Sequence, residues 1–334
     1  MKTSFAVDGG GSKTDAALVR EDGAVLGFAR GPLSHPHHVG VAASADVIDA
    51  LAGKMGASPA DLAVLLLAGL DFPDEEDAYR AEAARRGWAV ETVVGNDTYA
   101  VLRAGTERGW GVAVTCGAGI NCVGVAPDGR EARFPSLGAV SGDWGGAGDV
   151  GLAAAWAAAR SEDGRGPRTV LERLVPEHFD LATPVELARA ITAGRVASAR
   201  LGELAPVVFG AAERDAVAGE IVDRLAGEVV ALVRAAAARL ELAEAEVDVV
   251  LGGGLLQSGN RRLLAEIEAG LRQVAPGLSL HVARSRPIVG AALTALDLLG
   301  APPEAYARAR EELDRSTTSV GDVAGDAAAV GELT

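Results

Sequence analysis

Phe5-Ala6-Val7-Asp8-Gly9-Gly10-Gly11-Ser12-Lys13-Thr14-Asp15 decides the fold: an apolar strand runs into an acid, three glycines and Ser-Lys-Thr, then a second strand through Leu18-Val19. Glycines permit positive φ, and without a Cβ they let main-chain N–H groups approach an anion. Ser12, Lys13 and Thr14 add two hydroxyls and a cation, so Gly10, Gly11, Ser12, Lys13 and Thr14 are candidate phosphate ligands. Asp8, at the strand's end, suits Mg²⁺ held through water, because Mg²⁺ prefers a carboxylate plus retained waters. The plain alternative is a tight glycine turn, with Lys13 merely solvated. No G-x-x-x-x-G-K-[ST] is present, so this is not a P-loop.

A second copy tips the balance. Gly111 to Ala126 again reads strand, small-residue loop (Cys116-Gly117-Ala118-Gly119), strand. Asp22-Gly23 follows the first copy and Asp128-Gly129 the second, each a hairpin signal. Such a duplication governs the architecture. A third glycine run, Gly252-Gly253-Gly254, follows the apolar strand Val249-Val250-Leu251. Two glycine hairpins facing one another and a late glycine turn imply a nucleotide clamp between two similar domains.

The bulk numbers narrow the function classes. A chain of 334 residues fits two domains. A net charge of −15 disfavours nucleic acid and anionic membranes as partners. Two cysteines, Cys116 and Cys122, suit a reducing compartment and no disulfide scaffold. The N-terminus enters a strand directly, without a signal sequence, and the apolar run Leu62 to Leu70 is too short to span a bilayer, so a cytoplasmic location is expected.

In order, residues 4–30 read as three strands, followed by the histidine-rich loop 33–40, a helix over 41–54, a strand over 62–68, a helix to about Arg86 and a strand over 89–94. A short helix follows Asn96-Asp97. The pattern βββαβαβα is an α/β unit over 1–110, with helices covering a mixed sheet. The second domain, 111–300, repeats it around a helical insertion of about 152–245. Its last helix, 287–299, has the option of packing back on the first domain. Residues 316–334 read as a solvated, disordered tail.

With both hairpins, Asn96-Asp97, Gly142-Asp143 and Leu251-Gly252-Gly253-Gly254 in hand, the chain resembles the sugar kinase/heat-shock-70/actin superfamily. Within it the best match is the N-acetylglucosamine kinase branch, grouped with BadF/BadG-type ATPases, over roughly residues 4–300. The resemblance implies two actin-like (ribonuclease H-like) domains with a nucleotide cleft between them, and ATP and Mg²⁺ as cofactors. It makes Asp8 to Thr14 the phosphate-1 and metal site, Thr115, Gly117, Ala118 and Gly119 the phosphate-2 loop, and Gly252, Gly253 and Gly254 the adenosine turn. It assigns the catalytic carboxylate to Asp97 and the sugar contacts to Asn121, Gly142 and Asp143, with Asn96 beside them. A sugar hydroxyl is a poor nucleophile and needs such a carboxylate to orient it. Two alternatives stay open: Asp97 only caps its helix, and Asp143 is only a turn acid.

The chain departs from that pattern in its acceptor pocket. The resembling enzymes carry Asn and Trp where His35 to His38 stand, and a serine near Ala68. Here the chain offers acids (Asp71, Asp143, Asp149) and imidazoles, which favours the ammonium of glucosamine over an acetamide. Glucosamine phosphorylated at O6 is therefore the expected reaction, with N-acetylglucosamine as the alternative and an ATP-driven switch protein as a reading from another class. His35 and His38 are candidate sugar contacts. A metal site there is disfavoured, since no cysteine or second histidine cluster lies at a familiar spacing. The paired cysteines read as small buried hydrophobes and not as iron–sulfur ligands. A homodimer is the expected assembly.

Overall fold

The structure, a computed structural model, describes residues 1–56, 59–242 and 245–319. It divides into two compact units, one of residues 1–109 together with the chain from Ala283, the other Trp110–Val282.

In the first unit β1 (Thr3–Gly9), β2 (Thr14–Arg20) and β3 (Val25–Gly31) form an antiparallel meander. After α1 (Pro36–Val39) and α2 (Val41–Lys54), β4 (Ala60–Leu67) joins parallel to β1. Next come α3 (Pro73–Arg86), β5 (Ala89–Gly95), parallel to β4, and α4 (Asp97–Gly105). The sheet order is β3-β2-β1-β4-β5. Strand alternation sends Phe5, Val7, Leu65 and Leu67 to one face, where Ile48, Leu51 and Tyr79 cover them. Ala6, Val64 and Leu66 go to the other.

The second unit contains β6 (Gly111–Cys116), β7 (Ile120–Val125) and β8 (Glu131–Arg133), then α5 (Gly146–Glu162), α6 (Leu171–Glu177), α7 (Pro184–Thr192), α8 (Ala205–Ala211) and α9 (Ala216–Arg239). β9 (Val247–Gly252), α10 (Arg261–Val274) and β10 (Leu278–Val282) close it. Its sheet order, β10-β9-β6-β7-β8, has the same parallel and antiparallel neighbours as the first. The duplicated motif is thus a duplicated sheet. Even the hairpin turns match: Gly23 and Gly129 have φ of 82° and 84°, and Asp22 and Asp128 each pair with an arginine two residues away. On α9 the helically spaced Ile221, Leu225, Val229 and Val233 are all buried.

The chain then returns to the first unit as α11 (Pro287–Leu299) and α12 (Pro303–Ser319). The helix expected at 287–299, with its option of packing back on the first domain, is α11 of this unit. α11 is apolar nearly all round, and such a helix must be covered on every side. Ile288, Val289, Leu293 and Leu296 are fully buried against Ala6, Val64 and Ala100. Gly290 permits the contact with α4, since a Cβ there would lie 1.8 Å from the Ala100 carbonyl oxygen. Gly290→Ala is therefore expected to cost about 3 kcal/mol, read as a fall in melting temperature, because the clash is backbone against backbone. Residues 316–319, read as tail, end α12, and 320–334 lie outside the described residues. α5 starts at Gly146, six residues before the helical insertion was expected to begin.

Candidate active site

Because β1, β4 and β5 are parallel and in register, their carboxyl ends share one edge of the first sheet. Asp8, Asp71, Asn96 and Asp97 lie at or just beyond those ends, the edge at which α/β sheets present ligands.

The Gly10 N–H donates to the Lys13 carbonyl at 2.9 Å and closes the hairpin. Gly9, Gly10 and Gly11 do not use positive φ, contrary to expectation. Their value is space: a Cβ on Gly9 would lie 2.4 Å from Leu67 Cδ2 and 2.5 Å from Ser34 Oγ, while one on Gly11 would meet only His35, at 3.7 Å. Thr14, expected to face phosphate, is fully buried, and its hydroxyl lies 2.7 Å from both the Pro32 carbonyl and Ser34 Oγ. It latches the hairpin to the histidine loop, and the Ser44 hydroxyl extends that link from the Ser34 carbonyl to the Tyr79 hydroxyl. Ser12 stays exposed and Lys13 half-buried.

Asp97 is the first residue of α4, yet it does not cap the helix. The Asn96 side-chain oxygen accepts from the Thr98 N–H at 3.0 Å and the Thr98 hydroxyl at 2.7 Å. Asn96 also donates to Asp71 at 2.9 Å. Asn96 is thereby the N-cap, and the Asp97 carboxyl is pushed up to about 7 by burial and by the charge of Asp71, against the opposing hydrogen bonds of its own and the Thr98 backbone N–H groups. Burial likewise raises Asp8, with Asp97 and Asp15 adding to the shift and Lys13 and Arg30 opposing it. The row Asp8, Asp15, Arg30 follows from strand register, and Arg30 grips Asp15 with two bonds of 2.6 and 2.8 Å. Sequence reasoning missed this buried pair, although Asp15 and Arg30 occupy facing positions.

Of the histidines, His35 sits against Gly69, where a Cβ would lie 2.3 Å from its ring, and stacks on the exposed His38 at 4.1 Å. Burial and the neighbouring imidazoles lower His35 to about 4, so it is neutral at neutral pH. Its Nδ1 is buried without a hydrogen-bond partner.

In the second unit the loop after β6 is clamped by the start of α5. The Ala147 N–H donates to the Gly117 carbonyl at 2.8 Å, and the Gly148 N–H to the Ala118 carbonyl at 3.3 Å. Gly146 has φ 84°, and a Cβ there would lie 2.5 Å from the Ala118 oxygen. Gly253, at φ 84°, packs as closely on the Cys116 carbonyl, to which the Leu255 N–H also donates. The expected phosphate-2 loop and adenosine turn are therefore neighbours. Gly117, Gly119 and Gly254 border open space, Gly252 is buried, and Ala118 is exposed. Asn121 stands opposite Thr115 on β7 and accepts from the Cys122 N–H. Asp143, after Gly142 at φ 85°, accepts from the Ser141 hydroxyl, while Trp144 lies under Arg224 at 4.0 Å against the core. Cys116 and Cys122 are buried free thiols.

Thr115 Oγ1 is buried and has no hydrogen-bond partner. An unpaired buried hydroxyl costs stability unless a ligand uses it. Thr115→Val is accordingly expected to raise the ligand-free melting temperature while weakening ATP about tenfold. Thermal melts and nucleotide titration check both halves, and loss of stability without nucleotide would contradict it.

The family model described as the BadF/BadG/BcrA/BcrD ATPase family matches residues 6–295. An N-acetylmuramic acid/N-acetylglucosamine kinase of Clostridium acetobutylicum is 29% identical over 268 residues, 78% of this chain and 87% of that protein. An N-acetyl-D-glucosamine kinase of Dictyostelium discoideum is 24% identical over 315 residues, 88% and 97% of the two chains. A solved structure from Chromobacterium violaceum, described provisionally as an N-acetylglucosamine kinase, is 26% identical with a TM-score of 0.68, covering 88% of this chain and 98% of that one.

Proposed function

Because the chain belongs to the BadF/BadG/BcrA/BcrD ATPase family, we propose that it is an ATP-dependent sugar kinase that phosphorylates an N-acetylated amino sugar at its primary O6 hydroxyl. The observation that carries this is Asp97, relieved of capping by Asn96 and held near pKa 7, where it can accept an alcohol proton at neutral pH. It orients the acceptor oxygen and takes its proton. The Gly10–Lys13 turn and the Thr115–Gly119 loop donate to the phosphates, with the Thr115 hydroxyl supplying a bond it otherwise lacks. Gly252–Gly254 border the nucleoside, and Asn121, Gly142 and Asp143 serve the sugar. The raised Asp8, among acids, suits a divalent cation. Mg²⁺, when bound through Asp8 and water, would offset phosphate charge.

The acetylated acceptor displaces the glucosamine expected from the acid-rich sequence. The similarity to kinases named for N-acetyl sugars supports this choice. A coupled ADP assay over N-acetylglucosamine, N-acetylmuramic acid, glucosamine, glucose and mannose tests it. The expected result is a kcat/KM for an N-acetylated sugar about tenfold or more above glucosamine; equal values or the reverse order would restore the free amine.

A further inference from the structure

We propose that His37, Asp71 and Glu75 form a second metal site, separate from any ion that accompanies ATP, which takes a transition divalent cation of the zinc class. One ligand atom from each lies within 4.8 Å of the others. The three come from α1, the β4–α3 connection and the first turn of α3, so sequence spacing concealed them; the earlier objection, that the histidines have no cysteine or histidine partners, overlooked these carboxylates. One imidazole nitrogen and two carboxylates suit zinc or cobalt better than Mg²⁺, which prefers oxygen alone. Three protein ligands leave a fourth position for water.

The surrounding groups are arranged as ligand supports. Glu75 Oε2 accepts from the Asp71 and Phe72 N–H groups at 2.8 and 3.1 Å, which directs Oε1 to His37 Nε2 at 2.6 Å. Asp71, itself buried, is held by the Asn96 amide at 2.9 Å. Such outer bonds fix a ligand's orientation before an ion arrives. At 2.6 Å a proton bridges His37 and Glu75; tetrahedral zinc ligands stand about 3.3 Å apart, so an ion replaces that proton with a small opening of the pair. A bound ion would clasp the histidine loop to α3 and, through Asp71, brace the asparagine that starts the helix of Asp97.

The test titrates Co²⁺ into the full chain, stripped with chelator and free of nucleotide, and follows the visible absorbance of low-coordinate cobalt. The expected result is one equivalent bound at micromolar or tighter affinity, displaced by Zn²⁺ and not by millimolar Mg²⁺. His37→Gln, at an exposed position, and Glu75→Gln should each weaken it about a hundredfold, with His37→Gln leaving the melting temperature of the metal-free protein unchanged. Asp8→Asn should leave cobalt binding intact. Absence of the equivalent, its survival in His37→Gln, or its loss in Asp8→Asn would overturn the proposal.

Discussion

Asp97→Asn is expected to lower kcat by a factor of about 10² to 10⁴ while ATP affinity stays within a few-fold, because the change removes a proton acceptor but keeps the side chain's shape. The same carboxyl, as the proposed proton acceptor, is expected to set the pH dependence of activity. Held near 7, it loses its function below neutrality, so kcat/KM should fall about tenfold per pH unit on the acid side. Stability moves the opposite way. The carboxyl titrates from 3.8 in the unfolded chain to about 7 in the folded one, so the native state holds the proton more tightly and loses stability as pH rises between those values. Asparagine, which cannot ionise, should raise the melting temperature at pH 8 and much less at pH 4. Equal gains at the two pH values, or an asparagine variant of full activity, would show that Asp97 is not the strained acid described.

The second large effect belongs to Gly146→Ala. Its φ of 84° is unfavourable for alanine, and the added Cβ would meet both the Ala118 oxygen and Gly119 Cα at 2.5 Å. Both contacts are backbone, so no side-chain adjustment relieves them. Strain and clash together should cost about 2–4 kcal/mol, or be avoided by releasing the 117–119 loop from α5. The measurable consequence is a lower melting temperature, an ATP affinity weakened about tenfold or more, or both. Gly148→Ala provides the contrast, since its Cβ would stand 3.6 Å from the same oxygen, an ordinary contact. Equal behaviour of the two variants would contradict the clamp.

Much of the fold was legible because the chain repeats itself. Asp8-Gly9-Gly10-Gly11 and Cys116-Gly117-Ala118-Gly119 each end an apolar strand, and the matching Asp-Gly turns marked the same meander twice. The last helix, expected over 287–299, coincides with α11. What failed did so for tertiary reasons. The insertion was expected to begin at 152, yet α5 begins at Gly146, where Gly146 and Gly151 permit close approach to Ala118 and Leu201 while the backbone coils. Thr14 looked like a phosphate ligand, but burial turned it toward Pro32 and Ser34. Asn96 and Asp97 were both read as candidate site residues; that Asn96 and not Asp97 is the N-cap was not legible, because it depends on side-chain geometry at the helix start.

The decisive measurement follows the γ-phosphoryl group in a single turnover with labelled ATP, with and without N-acetylglucosamine. The expected result is transfer of nearly all label to the sugar, with little inorganic phosphate formed when the sugar is withheld. Release of label as inorganic phosphate at the same rate whether or not sugar is present would contradict the kinase assignment and favour an ATP-driven switch.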